Sequence, residues 1–441
     1  MEMEVDVLVI GKGIAGVTAA ANLAKAGKRV VVITKGYGAT ALSSGCLDVL
    51  SYIPEVQGIA QPPLAGLKML SVVNKKHPYI IAGEGDAEKA EKIIKDAFAN
   101  LPEEIKELYV GTLDENFYVI TSFGTLKPTT MVQKPLEPAI IKGEKRKILL
   151  IGIRGLLDFN PVMAASVVNF DLKKRALGHI TVKAAKVSVK GAEGMPTLTA
   201  PTVASILEEE EAFNDLKSEL SKIAKSEEPD AILLPSIFSS PTLIERMEEL
   251  EDACGCKIGE VAMSPPNAAG LRLQKALDSV CEKLGIHVYH VMGVTPVVED
   301  GRVSKVIGEQ KLLFGKIRKM EFKAKNFVLA TGDFISEGLV CEVDEELNRY
   351  FKEPIFNLPL YVPSEYFVKL DPFDPSGQPF SKIGVMVNSN MKPINHEGEI
   401  VYDNLYAAGA ILGCYDYKSE KSGMGVAITT AYKAALSILG R

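Results

Sequence analysis

The stretch Val5-Asp6-Val7-Leu8-Val9-Ile10-Gly11-Lys12-Gly13-Ile14-Ala15-Gly16 decides the fold. Val5 to Ile10 is a mostly apolar run that reads as a buried strand. A Gly-x-Gly-x-x-Gly turn follows at once, and the Ala/Leu-rich segment from Ile14 to Lys25 reads as a helix ending at Gly27. Arg29 to Ile33 is a second strand. In this arrangement Gly11 permits a tight turn, Gly13 lets the backbone approach a phosphate, and Gly16 allows close packing of helix on strand. The helix start at Ile14 and Ala15 offers unpaired N–H groups and a positive dipole end to an anion. Strand, glycine turn, helix and strand in this order predict an α/β fold of the Rossmann-like, dinucleotide-binding type.

Outward from this unit, the end of the second strand departs from the usual pattern. The acid expected to hold an adenosine ribose about 20 residues after the first glycine is absent, and Thr34 and Lys35 stand there. That disfavours NAD, removes one contact from FAD and leaves a mononucleotide such as FMN unaffected; a hydroxyl, a backbone group or a side chain from a distant loop is an alternative to the acid. The next segment, Gly36 to Asp48, is rich in small and hydroxyl-bearing residues. Ser43, Ser44 and Gly45 suit close approach to a cofactor, or equally a surface turn with a serine cap.

Farther on, residues 86–108 carry helical spacing broken near Pro102, residues 111–154 alternate short β-like runs with Gly and Pro, and Glu208–Glu211 with Leu216, Leu220 and Ile223 predict a charged helix. Ala231–Leu234 reads as a buried strand, Ala269–Leu284 as a helix, and the segments around Gly301 as a hairpin. Val328-Leu329-Ala330-Thr331-Gly332 ends a strand in a glycine, which suits a return to the first sheet with Thr331 and Gly332 near a cofactor. Asn404 to Ala410 enters another turn at Gly409, and Ser422-Gly423-Met424-Gly425 opens an apolar helix whose N–H groups suit a phosphate, a sugar or a reduced ring. The expected division is a flavin-binding domain in two parts, 1–110 and 321–441, around an inserted α+β domain at 111–320 that faces substrate or a partner.

A chain of 441 residues with 47% hydrophobic content is large enough for two cores. Its net charge of −6, without a concentrated basic block, argues against nucleic acid. The six scattered cysteines resemble no disulfide framework, and Cys254-Gly255-Cys256 lacks the ligand number of an iron–sulfur motif, so no metal is expected. His287 and His290 fall on opposite faces of a β-like run, a poor arrangement for one metal, and His77 and His179 are acid–base or structural candidates. The N-terminus lacks the features of a signal peptide, and no apolar run is long enough to span a bilayer. A cytoplasmic protein is expected, peripheral to the inner face of the membrane only through partners.

Together with Val9 to Asp48, the blocks Gly152-Ile153-Arg154-Gly155-Leu156-Leu157-Asp158-Phe159, Leu271-Arg272-Leu273 and Gly409-Ala410-Ile411-Leu412-Gly413-Cys414-Tyr415-Asp416 carry a resemblance over nearly the whole chain. The sequence resembles the B subunits of anaerobic glycerol-3-phosphate dehydrogenases, within the flavoproteins related to fumarate reductases and aspartate oxidases. That resemblance implies an FMN-carrying oxidoreductase subunit, with FAD as the alternative. The implied complex oxidises sn-glycerol 3-phosphate to dihydroxyacetone phosphate and passes electrons toward quinone. Its other members are an FAD-containing dehydrogenase (the A subunit) and an iron–sulfur protein (the C subunit). The alternative functions are another FAD-dependent oxidoreductase and a noncatalytic, flavin-stabilised assembly subunit. If this chain binds the substrate itself, Arg154 is the candidate for its phosphate, since a guanidinium pairs with phosphate oxygens.

Overall fold

The computed structural model describes residues 2–441 apart from 57, 196, 313, 314, 347, 364 and 365. The opening unit forms in the expected order as β1 (Glu2–Ile10), α1 (Ile14–Lys25) and β2 (Val30–Thr34). Val7, Leu8 and Val9 are fully buried, as are Val17, Ala19, Ala20, Ala21 and Leu23 of the helix, so a strand and a helix of small apolar residues share one core. Gly16 sets their spacing. A Cβ placed there would stand 1.9 Å from the Gly11 carbonyl oxygen.

The chain then leaves the sheet through β3 (Cys46–Leu47), α2 (Ala87–Ala99), β4 (Phe117–Ile120), β5 (Leu126–Thr129) and β6 (Met131–Gln133). The Asp86 carboxylate accepts the N–H groups of Glu88 and Lys89 and caps α2. Pro102 breaks the helical run as expected, and a single turn resumes at Glu103–Lys106.

A second core follows around four parallel strands: β7 (Arg146–Ile153), β8 (Ile180–Val187), β9 (Ala231–Leu234) and β10 (Lys257–Glu260), in the order β8-β7-β9-β10. The helices α3 (Pro161–Lys174) and α4 (Glu210–Glu227) belong to this unit. Leu216 and Leu220 of α4 are buried in it while the glutamates face outward, so the charged helix has an apolar inner face.

The return comes through α5 (Ala268–Lys283), β11 (His287–His290), β12 (Gly293–Glu299), β13 (Arg302–Lys311) and β14 (Ile317–Leu329). The main sheet runs β11-β2-β1-β14-β13-β12, and β15 (Leu405–Ala407) pairs with the end of β14. The hairpin around Gly301 therefore belongs to this sheet. Strands 287–311, read from sequence as part of the inserted segment, hydrogen-bond into the first sheet instead. Their patterning is that of any hairpin, and only pairing with β2 and β14 reveals the sheet they join. The last helix, α6 (Gly423–Ile438), packs against α1.

One buried ion pair joins the two cores. Arg272 of α5 donates to both oxygens of Glu260 at the end of β10, at 3.1 and 2.7 Å, and to Gln133 Oε1 at 2.8 Å. Glu260 also accepts from Ser236 Oγ and the Phe238 N–H. The pair is almost fully shielded from water, and fork-on-fork geometry with every oxygen engaged is what makes such burial tolerable.

Arg272→Met should leave Glu260 as an uncompensated buried charge and lower stability by about 3–5 kcal/mol in urea unfolding. Gly16→Ala should cost about 1–3 kcal/mol by overpacking. Gly36→Ala, where a Cβ meets nothing within 4 Å, should be near neutral in the same assay.

Candidate functional site

Five parallel strands lie side by side in the order β11, β2, β1, β14, β15. A cavity of about 750 Å³ runs along their carboxyl ends, lined by Val291 and Met292 after β11, Thr34 of β2, Gly11 after β1, Thr331 after β14 and Ala410 after β15. Four inter-strand steps of about 4.8 Å make this edge about 19 Å long. The α1 N-terminus opens onto its middle.

At that middle, Gly11 has φ +113° and a Cβ on it would stand 2.2 Å from the Ala330 carbonyl oxygen. The chain turns there with no room for a side chain. Gly13, Ile14 and Ala15 line the cavity beside it. The Ile14 N–H donates to the buried Thr40 hydroxyl at 3.1 Å, whereas the Gly13 and Ala15 N–H groups have no acceptor among the described residues. Such a helix start suits a phosphate. Lys12, at the variable position of the turn, is tied to Asp278 of α5 at 2.8 Å.

Toward β11, Thr34 and Lys35 line the cavity as well. The Thr34 hydroxyl donates to the Gly36 carbonyl at 2.8 Å, and Lys35 forms an exposed ion pair with Glu337. Glu337 comes from the loop after β14 and lines the cavity too, which brings a carboxylate to the end of β2 where the chain itself supplies none. Gly332, with φ +80°, carries that loop around, and the Ser336 hydroxyl accepts the Ala39 N–H at 3.1 Å. The Thr331 hydroxyl is buried with no partner among the described residues, an orphan donor at the cavity wall.

At the opposite end stand Ser43, Ser44, Cys46, Asp48, Tyr417, Gly423 and Met424. Tyr417 donates to Asp333 at 2.7 Å, and burial together with that carboxylate pushes its phenol well above the usual range, so it stays protonated. The Gly423 and Met424 N–H groups at the start of α6 have no acceptor among the described residues. Behind them lies a buried network in which His77 bonds Glu420 at 3.0 Å and the Ser422 hydroxyl donates to Glu420 at 2.7 Å. His77 Nδ1 accepts the Tyr79 N–H, so its Nε2 carries the proton toward Glu420. His77 is thereby structural. Burial alone would raise the Glu420 carboxyl; His77, Ser422 and the Asp416 N–H outweigh it and hold the group below its usual value.

Five glycine and serine candidates stand behind the wall. Gly16 meets Gly11, Gly45 packs on Ala269 and Leu136, Gly409 packs on Ala15, and Gly425 faces the Tyr79 hydroxyl at 2.1 Å from a would-be Cβ. Ser422 spends its hydroxyl on Glu420. Arg154 lies on the exposed turn after β7 and is absent from the cavity lining, because the second sheet carries it to the outer surface. Cys254 and Cys256 are half-buried, and burial pushes the Cys254 thiol up to about 11. Val291, Met292, Glu337, Asp333 and Tyr417 gave no local signal; only the pairing of distant loops brings them here.

The family model described as FAD binding domain matches residues 6–426. A Vibrio cholerae protein, named as the B subunit of anaerobic glycerol-3-phosphate dehydrogenase, is 30% identical over 99% of this chain and 97% of its own length. An Aliivibrio fischeri protein of the same name is 30% identical over 99% and 96%. The chain belongs to the FAD binding domain family, in the branch of these B subunits. Among solved structures, 3-ketosteroid-Δ4-(5α)-dehydrogenase from Rhodococcus jostii has a TM-score of 0.42 at 14% identity, covering 99% of this chain and 96% of that one. Family membership makes the chain a flavin-binding oxidoreductase protein, and the relatives' shared name places them in a multi-subunit enzyme. Among the described residues no helix is long and apolar enough to cross a membrane.

A carboxyl whose folded pKa lies below its unfolded value of about 4.3 stabilises the fold above that value and loses the contribution as pH falls through the lower folded pKa. Unfolding midpoints measured from about pH 3 to 6 should drop steeply toward acid in the parent chain. Glu420→Gln should lower stability near pH 6 and show a shallower acid limb, the two curves converging at low pH.

Proposed function

We propose that the chain is the flavin-carrying redox subunit of a complex that oxidises sn-glycerol 3-phosphate to dihydroxyacetone phosphate. Its partners in this reading are an FAD-containing dehydrogenase (the A subunit) and an iron–sulfur protein (the C subunit) that carries electrons toward quinone at the membrane. The observation behind it is the cavity along the strand ends, which has a helix N-terminus at its middle and a second one at its far end. When bound, the flavin supplies the redox chemistry. The chain's own groups bind and orient it: Gly13 and Ala15 N–H groups toward a phosphate, Thr331 and the Ser43–Ser44 segment toward polar edges, and the Gly423 and Met424 N–H groups toward charge developing on a reduced ring.

The missing acid after β2 favours FMN, but the cavity weighs the other way. A phosphate at α1 leaves the strand ends toward β15 for a ring and ribityl chain, and FMN needs no more. The ends of β2 and β11, lined by Thr34, Val291 and Met292, then remain for a second nucleoside, with Glu337 at hand for its ribose hydroxyls. We therefore favour FAD.

Extraction of the purified chain and chromatography of its flavin should yield FAD; FMN would overturn this choice and leave the flavin-subunit reading intact, and the absence of flavin from an active complex would overturn both. Glu337→Ala should weaken FAD binding about tenfold and leave FMN affinity unchanged, as read by flavin fluorescence titration. Rapid reduction of this chain's flavin by sn-glycerol 3-phosphate in the intact complex tests the redox role.

A further inference from the structure

The segment after β14 has two sides. Its inner side lines the cavity through Asp333, Ile335, Glu337, Val340 and Ile355. Its outer side holds apolar side chains in water: Tyr366, Val368, Leu370 and Phe373 are 75%, 62%, 105% and 90% exposed. Val343 and Tyr350 are exposed as well, on the hairpin formed by Val340–Val343 and Arg349–Lys352. Phe334, Phe351 and Phe367 meet edge-on, with ring centres 5.9 and 4.8 Å apart, so the cavity wall, the hairpin and the loop share one aromatic support.

The loop is braced with its apolar groups turned outward. Side chains alternate along it, Phe367 and Lys369 half-buried between the exposed Tyr366, Val368 and Leu370. The Lys369 N–H donates to Gln378 Oε1 at 2.7 Å, Gln378 Nε2 donates to the Asp371 carbonyl at 2.7 Å, and the Lys369 ammonium pairs with Asp374 at 3.0 Å. At its base Gly377 packs on Asp416, the neighbour of the cavity-lining Tyr417; a Cβ there would stand 2.1 Å from Asp416 Oδ2. An exposed apolar cluster held ready beside a cavity marks an interaction surface.

Charge decides what covers this surface. Residues 331–380 hold ten carboxylates and three cations, a net of −7 in a chain whose total is −6. Glu345 and Glu346 are exposed, and among the described residues their carboxylates meet no cation. An anionic membrane surface repels such a face. The same face of a second copy repels it too, since a two-fold contact sets like charges against each other. A protein with an apolar centre and a basic rim fits, because the apolar side chains supply the buried middle and the carboxylates steer the approach.

We propose that the loop 366–373 and the hairpin of Val340–Val343 and Arg349–Lys352 form the docking face for a redox partner protein whose own face is apolar at its centre and basic at its rim. The partner's redox role rests on the flavin reading of the cavity, whereas the docking face rests on exposure and charge. A protein seated there adjoins the cavity wall at Ile335 and Val340.

The test uses the full flavin-loaded chain and, as probe, the remaining subunits of the purified complex separated from it. Binding is followed by surface plasmon resonance from low to physiological salt. Leu370→Ser combined with Phe373→Ser should weaken binding about tenfold or more, mostly through faster dissociation. Glu345→Lys combined with Glu346→Lys should slow association and flatten its salt dependence. Val162→Ser combined with Phe170→Ser, at exposed apolar positions of α3, should match the parent. Loop and hairpin variants with parental affinity, or a loss confined to the α3 variant, overturn the proposal. Flavin content is measured throughout: a loop variant that keeps both flavin and affinity overturns the docking face alone, whereas a flavin-free parent that still docks through the loop overturns the redox reading alone. Binding of the chain to phosphatidylglycerol vesicles, or its self-association, abolished by the loop variant assigns the loop to a membrane or a second copy and overturns the proposal too. If a variant does not fold, hydrogen exchange in the parent decides. Backbone amides in 366–373 should exchange more slowly once the subunits are added, and equal rates overturn the docking face.

Discussion

The main sheet depends on how closely α1 lies against the end of β1. With the Gly11 carbonyl filling the place of a Gly16 side chain, and the Ala330 carbonyl filling that of Gly11, helix and strands meet backbone to backbone. Hydrogen bonds from Gly11 N–H to Ile33, Ala330 N–H to Ile10 and Ala408 N–H to Leu329 then bring neighbouring strand ends into line. A side chain at Gly16 would push the helix outward, and one at Gly11 would collide with the backbone after β14. The cavity runs along the edge where five strands stop, with the start of the helix at its middle.

The far end of the site has a different construction. It gathers Ser43, Ser44, Cys46, Asp48, Tyr417, Gly423 and Met424 from segments far apart in sequence, with Lys127 paired to Asp48 and the His77–Glu420–Ser422 network behind them. Arg272 and Glu260 hold the second core against α5, so the segment carrying Lys127 and the helix packed on the main sheet belong to one framework. Low exposure makes each of these polar contacts stronger than it would be in water and costly to leave half-made. Buried ionic groups therefore act here as joints between parts of the chain, in places where apolar packing alone would specify no particular alignment.

Much of this was legible before any coordinates. The glycine turn, the helix at 14–25, the break at Pro102, the hairpin at Gly301 and the final helix are local events, each set by a few consecutive residues. The roles of individual small residues were less legible. Gly45, Gly409 and Gly425 lie in the same small-residue segments as residues that line the cavity, yet they pack against neighbours behind it, because a missing Cβ admits a neighbouring backbone or side chain as readily as a ligand. Arg154 shows the same limit: its residue type suits phosphate, and its strand carries it away from the cavity.

By itself the sequence determined the α/β class, the glycine turn at the start of α1 and the second helix start at Ser422–Gly425, since turn chemistry and apolar periodicity are properties of neighbouring residues. Tertiary structure alone decided that strands 287–311 join the first sheet, that Glu337 reaches the end of β2, and that Lys127 meets Asp48 across 79 residues and His77 meets Glu420 across 343. Parallel strand order and side-chain pairs at such separations follow from how two cores pack and leave no mark on local sequence.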